Sequence, residues 1–235
     1  MDYQLPQEFV QLADLTRQFV RRQLWPHEEA VEQQDWVPQE LRLRLRAAAV
    51  ELGLFAFNMP EDAGGPGLPY LAQVLIREQL GQASVALADI VGRPPKALLA
   101  CRPEQRERLL LPAVRGEKIW AFALTEPGAG SDAGAIRTRA RPADGGWRLN
   151  GTKHFISHGN HADYVIVIAK LERDGIDQAT AFVVPHGTPG FSVGRVHRKM
   201  GWRGYPICEL VFDDVFVGED ELLGEIGGGL KLGLG

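Results

Sequence analysis

The residues best suited to chemistry lie in a single run of the sequence, WAFALTEPGAGSD, from Trp120 to Asp132. Its first part is a short apolar stretch that predicts a strand ending at the hydroxyl of Thr125. Pro127 and the two glycines after it predict a loop. Such a strand can support a flat ring, and the loop brings backbone N–H groups and hydroxyls close to a polar ligand. The run therefore predicts a site that holds a bulky redox cofactor by its edge.

A second possible site is formed by three histidines, His154, His158 and His161. Their spacing would suit metal binding if the segment were a helix. The residues around them predict strand and loop instead, so the three rings would not converge on one ion. We therefore expect these histidines to serve packing or the surface, and we predict no metal site.

The first half of the chain, up to residue 118, has the pattern of a helical domain. Apolar residues recur at helical spacing over residues 9–24, and Pro26 ends the pattern. A second helix is predicted over residues 38–53, with Arg42 and the arginines after it on a solvated face. Further helices are predicted over residues 71–80, 85–91 and 103–116.

After residue 118 the pattern changes to short runs rich in β-branched and aromatic residues, separated by turn sequences such as that at Asn150 and Gly151. The predicted strands are 119–125, 136–141, 147–156, 164–169, 179–184, 191–196 and 209–216. Such spacing is typical of a closed or sandwiched antiparallel sheet. We therefore predict an α+β, multidomain fold, with an N-terminal all-α helical domain over 1–118 and an antiparallel, β-barrel-like middle domain over 119–225.

Composition excludes several classes of protein. With 45% hydrophobic and 24% charged residues, the 235-residue chain has the balance of a globular protein. A net charge of -4 gives no electrostatic reason to expect nucleic acid or an anionic membrane as a partner. No apolar run reaches the roughly 18 residues of a membrane-spanning helix. Cys101 and Cys208 are far apart and have no CxxC partner, which indicates reduced thiols and a cytoplasmic protein.

Several further motifs accompany the opening run in a fixed order. They are MPEDAGGPG at 59–67, PEQRER at 103–108, GTKHFIS at 151–157, and MGWRGYPICELVFDDVFV at 200–217, which leads to LLGE at 222–225. In order and spacing these motifs resemble the acyl-CoA dehydrogenase family, over roughly residues 5–235. One such motif alone would be weak support for the resemblance, whereas five in register are strong.

The resemblance implies an FAD-dependent enzyme that removes a proton from Cα and a hydride from Cβ of an acyl-CoA thioester, giving the trans-2-enoyl-CoA. It also implies a third, C-terminal helical domain, of which residues 226–235 would be the start. A role in fatty acid metabolism, an electron-transfer flavoprotein as electron acceptor and a homo-oligomeric full-length protein are further implications.

Carried over position by position, the resemblance assigns roles to residues of the opening run. Phe122, Leu124 and Thr125 would lie along the flavin ring, with the Thr125 hydroxyl bound to its polar edge. Gly130 and Ser131 would form the turn beside the cofactor and the acyl-CoA, so Ser131 would also bind substrate.

Two more cofactor-binding residues are assigned in the GTKHFIS motif. Phe155 would pack against the face of the flavin ring, and Ser157 would offer a hydroxyl near N5. The family often has tryptophan and threonine at these two positions, and both replacements keep the chemical type. Donors at the polar edge of the ring would stabilise its anionic reduced form by roughly a few kcal/mol in a dry site.

The resemblance leaves the catalytic base unassigned. In the family this base is a glutamate of the C-terminal helical domain, and the motifs of this chain hold no counterpart. Glu126 lies in the opening run, where we predict a structural bond within the turn instead of catalysis. We therefore name no catalytic residue and expect the isolated chain to be inactive.

Two other interpretations stay open. The chain could belong to a related flavin oxidase or monooxygenase of the same fold, which would differ in how its reduced flavin reacts with O₂. It could also be a flavin-binding or scaffolding module without turnover, since no base is recognisable in it.

Overall fold

The computed structural model of the chain describes residues 4–234, and the chain divides into two compact units. The helical unit comprises the residues up to Pro94 together with Val114–Gly116 and Lys199–Tyr205. The sheet unit comprises Pro95–Ala113, Glu117–Arg198 and the residues from Pro206 onwards. Each unit therefore includes at least one segment that is remote from its main part in sequence.

The helical unit is built from four helices that the apolar spacing predicts and one, Glu28–Gln34, that it does not. They are α1 (Gln7–Phe19), α2 (Glu28–Gln34), α3 (Gln39–Glu51), α4 (Tyr70–Leu80) and α5 (Val85–Ala88). A π-helical turn, Val20–Leu24, follows α1 and leads into a 3₁₀ turn, Trp25–His27. Regular α-helical geometry therefore ends before Pro26, because proline lacks the N–H that the helix would need.

The buried face of α3 corrects one prediction. Arg42 is only 7% exposed and shares the inner face with Leu45 and Ala49, where a solvated arginine face was predicted. Its guanidinium carbon lies 5.1 Å from the centre of the Trp36 ring. An arginine can be buried in this way because its aliphatic stem packs against apolar neighbours while the cation contacts an aromatic face.

The rest of the chain forms short helices and then strands. The helices are α6 (Pro103–Gln105), a π-helical turn (Arg106–Leu110), α7 (Leu111–Val114) and the later α8 (Gly229–Leu234). The strands are β1 (Trp120–Ala123), β2 (Arg139–Ala143), β3 (Gly146–Ser157), β4 (Tyr164–Arg173), β5 (Ile176–Pro185), β6 (Phe191–Val196), β7 (Ile207–Gly218) and β8 (Leu222–Leu223). Each predicted strand is found.

The strands form one sheet in the order β6-β7-β3-β2-β4-β5-β8, and β1 pairs with β4 beside this path. The β1–β4 and β2–β4 pairs are parallel and the others are antiparallel. The path has two free ends and does not close, so the sheet is barrel-like only in a loose sense. A helical region followed by a sheet domain confirms the predicted fold class.

The β4–β5 hairpin shows how turn chemistry sets register. Asp174 and Gly175 both have positive φ, at 54° and 75°. A two-residue hairpin loop of type I′ requires positive φ at both positions, and the Asp-Gly pair supplies it at low cost. Arg173 then pairs with Ile176, and the regular register that follows continues to Tyr164 opposite Pro185.

β4 forms the centre of the sheet unit's core. Its residues Val165–Ala169 are all buried, so both faces of the strand are covered, as is typical of strands with parallel neighbours. Burying each large aliphatic side chain contributes about 1.5–3 kcal/mol. Cys208 in the same core and Cys101 are free and buried, and burial raises the pKa of each thiol to about 11.

No helix within residues 4–234 combines the length and the apolar character needed to cross a bilayer.

Candidate functional site

The loop that follows β1 opens with a tight turn. The N–H of Glu126 donates to the carbonyl of Ala129 at 3.0 Å, and the N–H of Ala129 donates back to Glu126 at 3.1 Å. This reciprocal pair closes the turn over Pro127 and Gly128. The backbone of residues 126–129 is thereby held by its own hydrogen bonds.

The side chain of Glu126 fastens this turn to the sheet. Its carboxylate accepts hydrogen bonds from the N–H of Arg137 at 2.6 Å, from the N–H and hydroxyl of Thr138 at 2.9 and 2.6 Å, and from Nζ of Lys153 at 2.7 Å. These bonds run to β3 and to the residues just before β2, so the structural role predicted for Glu126 extends beyond the turn itself. These bonds stabilise the ionised carboxylate and make it a weaker base, which does not suit it to take a proton from a substrate.

Lys153 is the buried partner of that carboxylate. Its side chain is 0% exposed, and Nζ also donates to the carbonyl of Leu124 at 2.9 Å. Burial lowers the pKa of Lys153 below the ordinary lysine value despite the attraction of Glu126. Burial alone would raise the pKa of Glu126, but the bonds from Lys153, Thr138 and the backbone outweigh it and bring the pKa below its ordinary value. The buried contact between Glu126 and Lys153 therefore fastens the loop to β3.

The sequence gives no role to Lys153 until its place on β3 is considered. Lys153 has the same parity along the strand as Leu149, which is fully buried. Because alternate residues of a strand share one face, a lysine at this position must point inward. An inward lysine needs a buried carboxylate, and Glu126 supplies it.

Phe155 stands out on the same strand. It is a large apolar side chain with 59% exposure, and its φ of 58° is in the left-handed region that bulky residues avoid. Its neighbour His154 donates its backbone N–H to the carbonyl of Thr125 at 2.8 Å. This backbone hydrogen bond ties Thr125 to the residue that precedes Phe155 on β3.

Three hydroxyls near these residues are available to a ligand. Thr125 and Ser157 are half-buried and Ser131 is exposed, and within the described part of the chain none of their hydroxyls has a hydrogen-bond partner. A side chain added at Gly128 or Gly130 would meet no other atom within 4 Å. Unpartnered donors beside open backbone suit the polar edge of a flat cofactor.

Phe122 and Leu124 lie together against α8. A Cβ added at Gly233 would come within 2.8 Å of the Phe122 ring and 3.7 Å of Cδ2 of Leu124. The glycine therefore lets the helix approach these two side chains closely. Within residues 4–234 no hydrogen bond links Ser131 to Phe155 or Ser157.

The histidines form contacts that the sequence does not predict. His154 contacts His197, and the rings of His158 and His161 meet edge to face with centres 5.1 Å apart. Within the described residues no group of three or more His, Cys, Asp or Glu side chains is placed to hold a metal ion.

Two family models match the chain. The N-terminal domain of acyl-CoA dehydrogenase matches residues 6–117, and the middle domain of acyl-CoA dehydrogenase matches residues 121–215. The two matches follow each other in the order expected from the sequence motifs.

Relatives and solved structures agree with these matches. An acryloyl-CoA reductase (NADH) of Anaerotignum propionicum is 36% identical over 241 aligned positions, which cover 100% of this chain and 60% of the relative. The human mitochondrial short-chain specific acyl-CoA dehydrogenase is 33% identical, with 98% of this chain and 57% of the relative covered. A crystal structure of an acyl-CoA dehydrogenase complexed with FAD from Bacillus anthracis has a TM-score of 0.84 and 34% identity, covering 97% of this chain and 39% of that one.

The chain spans about three fifths of the length of the curated relatives that it matches. Sequence motifs, fold, family models and relatives all agree, and this chain belongs to the acyl-CoA dehydrogenase family, whose N-terminal and middle domains it matches.

Proposed function

We propose that this chain binds FAD on the surface formed by the loop after β1 and the exposed end of β3. The observation that carries the proposal is Phe155, an exposed aromatic ring held at an unfavourable backbone angle beside unpartnered hydroxyls. Binding sites favour such strained and exposed positions because the strain fixes a side chain for contact with a ligand. The FAD of the B. anthracis relative supports the identity of the cofactor.

Each predicted residue would have a defined part in this binding. Phe155 would cover a face of the flavin ring, and the hydroxyls of Thr125 and Ser157 would donate to its polar rim. Gly130 would let the backbone approach the cofactor, and Ser131 would reach both cofactor and acyl-CoA. The Glu126–Lys153 ion pair would keep the loop in the shape that this contact needs.

Phe122 and Leu124 would complete the apolar support of the flavin. Both side chains are half-buried, and both lie near Gly233 of α8. An apolar wall excludes water, so hydrogen bonds at the polar rim act in a medium of low dielectric constant and gain strength.

We propose that the whole protein oxidises the Cα–Cβ bond of an acyl-CoA thioester in fatty acid metabolism. Bound FAD would supply the acceptor for the hydride that leaves Cβ. The described residues bind and orient, and Glu126 is unsuitable as the base because its carboxylate is taken up by Lys153 and Thr138. We propose that a different carboxylate removes the Cα proton, and the family resemblance implies that it lies outside these residues.

The reverse direction is a second candidate. The relative from Anaerotignum propionicum is named an acryloyl-CoA reductase, and it is 36% identical to this chain. Reduction of an enoyl-CoA uses the same site, since the two directions share one transition state. The direction in the cell would be set by the redox partner.

One experiment tests the activity and its direction. The protein expressed from its whole gene is loaded with FAD and mixed anaerobically with a saturated acyl-CoA. Bleaching of the visible flavin absorbance supports dehydrogenation. Reoxidation of the reduced protein by an enoyl-CoA, without bleaching by the saturated substrate, supports the reductase. Reoxidation by air faster than by any protein acceptor would favour an oxidase.

We further propose an electron-transfer flavoprotein as acceptor, a homo-oligomer for the whole protein and a cytoplasmic location. The two free, buried cysteines agree with a reducing compartment. Stimulation of acyl-CoA turnover by an electron-transfer flavoprotein, compared with a dye acceptor at the same potential, tests the choice of partner.

Thr125→Ala should weaken FAD binding by roughly two- to tenfold, because it removes one hydrogen bond worth about 0.5–1.5 kcal/mol. Fluorescence titration with FAD measures the change. Ser192→Ala is the matched control, since Ser192 is an exposed hydroxyl on β6. Equal affinities for Thr125→Ala and the control would remove Thr125 from the site.

A further inference from the structure

β7 pairs with β3 on one side and β6 on the other, and both pairings are irregular opposite the same residue, Glu209. On β3 the pairing shifts so that His154 and Phe155 together oppose Glu209. On β6 the pairing shifts at the same place, so that Gly194 and Arg195 oppose it. A bulge of this kind redirects the side chains that it carries, and bulges are common beside functional sites.

The bulge on β3 places Phe155 against two imidazole rings. The rings of His154 and Phe155 are stacked, with centres 4.1 Å apart and planes 5° from parallel. The ring of His197, which follows β6, lies 5.0 Å from that of Phe155. The exposed phenyl ring is therefore held in place by histidines on two different segments of the chain.

The two histidines also contact each other. Nε2 of His154 lies 3.1 Å from Nε2 of His197, which is hydrogen-bond distance. One ring must donate a proton and the other must accept it, since two bare or two protonated nitrogens would repel. The pair can thus carry one extra proton and keep its bond, but a second proton must break it.

The backbone fixes both ends of this pair. His154 donates its N–H to the carbonyl of Thr125 at 2.8 Å, and His197 donates its N–H to the carbonyl of Ile207 at 2.9 Å. Neither imidazole can follow its partner far if the contact between them is lost. Breaking the contact would therefore loosen the packing of the two imidazole rings against Phe155, and the three rings would not move together.

The charges that act on His197 come from three strands or their ends. Burial lowers the pKa of His197, His154 on β3 and Arg195 on β6 lower it further, and Glu209 on β7 opposes them. His197 is therefore neutral at neutral pH. Protonation below its ordinary range would set a positive charge against Arg195 and the His154 ring.

From this geometry we propose that His154 and His197 are positioning residues that hold Phe155 flat for contact with the flavin, and that acid releases Phe155 by breaking the pair. The inference rests on the proposed binding of FAD. It adds to that function a residue, His197, to which neither the motifs nor the family resemblance gave a role. It also makes cofactor affinity dependent on pH.

The dissociation constant of FAD, measured by fluorescence titration from about pH 8 to about pH 4, tests the proposal. The range extends below the one in which histidine ordinarily titrates, because only the second proton breaks the pair. The wild-type constant should rise roughly three- to tenfold toward acid, the loss expected for one hydrogen bond. His197→Gln keeps a neutral hydrogen-bonding partner for His154 at every pH, so its constant should change little. His186→Gln is the matched control, since His186 is outside the cluster, and it should behave as the wild type does.

Nitrogen-15 NMR of the FAD-free protein gives a second test that needs no cofactor. Opposite tautomers at Nε2 of His154 and His197, with shifts that change together on titration, support the pair. Independent titration of the two rings would overturn the inference even if FAD binds. FAD binding with the same pH dependence in wild type and His197→Gln would overturn it too, and would leave the proposed function intact. Failure to bind FAD at any pH would overturn both the proposed FAD binding and this inference, whatever the tautomers show.

Discussion

Replacing Glu126 with glutamine should lower the free energy of unfolding of the sheet unit by about 3–5 kcal/mol. Lys153 is the reason, because its ammonium is fully buried and lies 2.7 Å from a Glu126 carboxylate oxygen. Glutamine keeps the shape of the side chain but leaves that charge without a counterion. Urea-dependent hydrogen exchange of the β3 amides, followed by mass spectrometry, measures the loss locally. Glu172→Gln, at an exposed position of β4, is the matched control and should change stability little.

The double variant Glu126→Gln/Lys153→Met measures the interaction between the two side chains separately from the contribution of each one. Methionine fills the space of the lysine stem without a charge, so the double variant should recover part of what Glu126→Gln loses. A coupling of about 1 kcal/mol or more is expected for groups in direct contact. If the stability lost in the double variant equals the sum of the losses in the two single variants, the two charges do not depend on each other.

Acid should weaken the same interaction. The pKa of Glu126 lies below its ordinary value in the folded chain, where the bonds from Lys153 and Thr138 outweigh the effect of burial. Its contribution to stability is therefore present above the unfolded-state value of about 4.3, and it is lost as the pH falls through the lower folded-state pKa. Glu126→Gln should lose less stability than the wild type over this acid range.

Replacing Phe155 with glycine should stabilise the sheet unit while it weakens FAD binding. The φ of 58° at Phe155 is one that glycine adopts freely, whereas a bulky residue held there costs about 1–3 kcal/mol. Because the ring is 59% exposed, its removal loses mainly the contacts with His154 and His197, and we expect a net gain of up to about 1 kcal/mol. The lost stacking on the flavin is worth about 1–3 kcal/mol by analogy with stacked bases, or roughly 5- to 150-fold in affinity.

Trp202→Gly is the matched control for this prediction. Trp202 has a φ of 55° and 58% exposure, so it resembles Phe155 in both respects, but it belongs to the helical unit. The control should gain stability and leave FAD affinity unchanged. Unchanged affinity in Phe155→Gly as well would exclude Phe155 from the flavin surface, whereas lost stability would show that its backbone angle is not strained.

Much of the fold follows from local sequence. Alternation and turn residues predict every strand longer than two residues, because turns such as Asp174-Gly175 demand positive φ that few residues supply. The two-residue strand β8 is not predicted, since two leucines are too few to show the alternation typical of a strand. The parallel pairing of β1 with β4 also depends on long-range contacts that no short window contains.

The side chains of the site are less predictable, because their roles depend on partners remote in sequence. Glu126 meets Lys153, and His154 meets His197, only once the sheet has formed. The bulge that exposes Phe155 arises from a register shift against β7. The pattern of apolar and polar residues along β3 does not indicate this shift. The burial of Arg42 was predicted wrongly for a similar reason, since Trp36 shields it from a neighbouring turn.

Titration of the 235-residue chain with FAD asks directly whether these residues bind the cofactor. Flavin fluorescence and visible absorbance are followed for the wild type and for Phe155→Gly. We predict saturable binding at one FAD per chain, with a resolved visible spectrum, and a clearly weaker affinity in the variant. A folded wild-type chain that leaves the fluorescence and spectrum of FAD unchanged at every concentration would contradict this prediction.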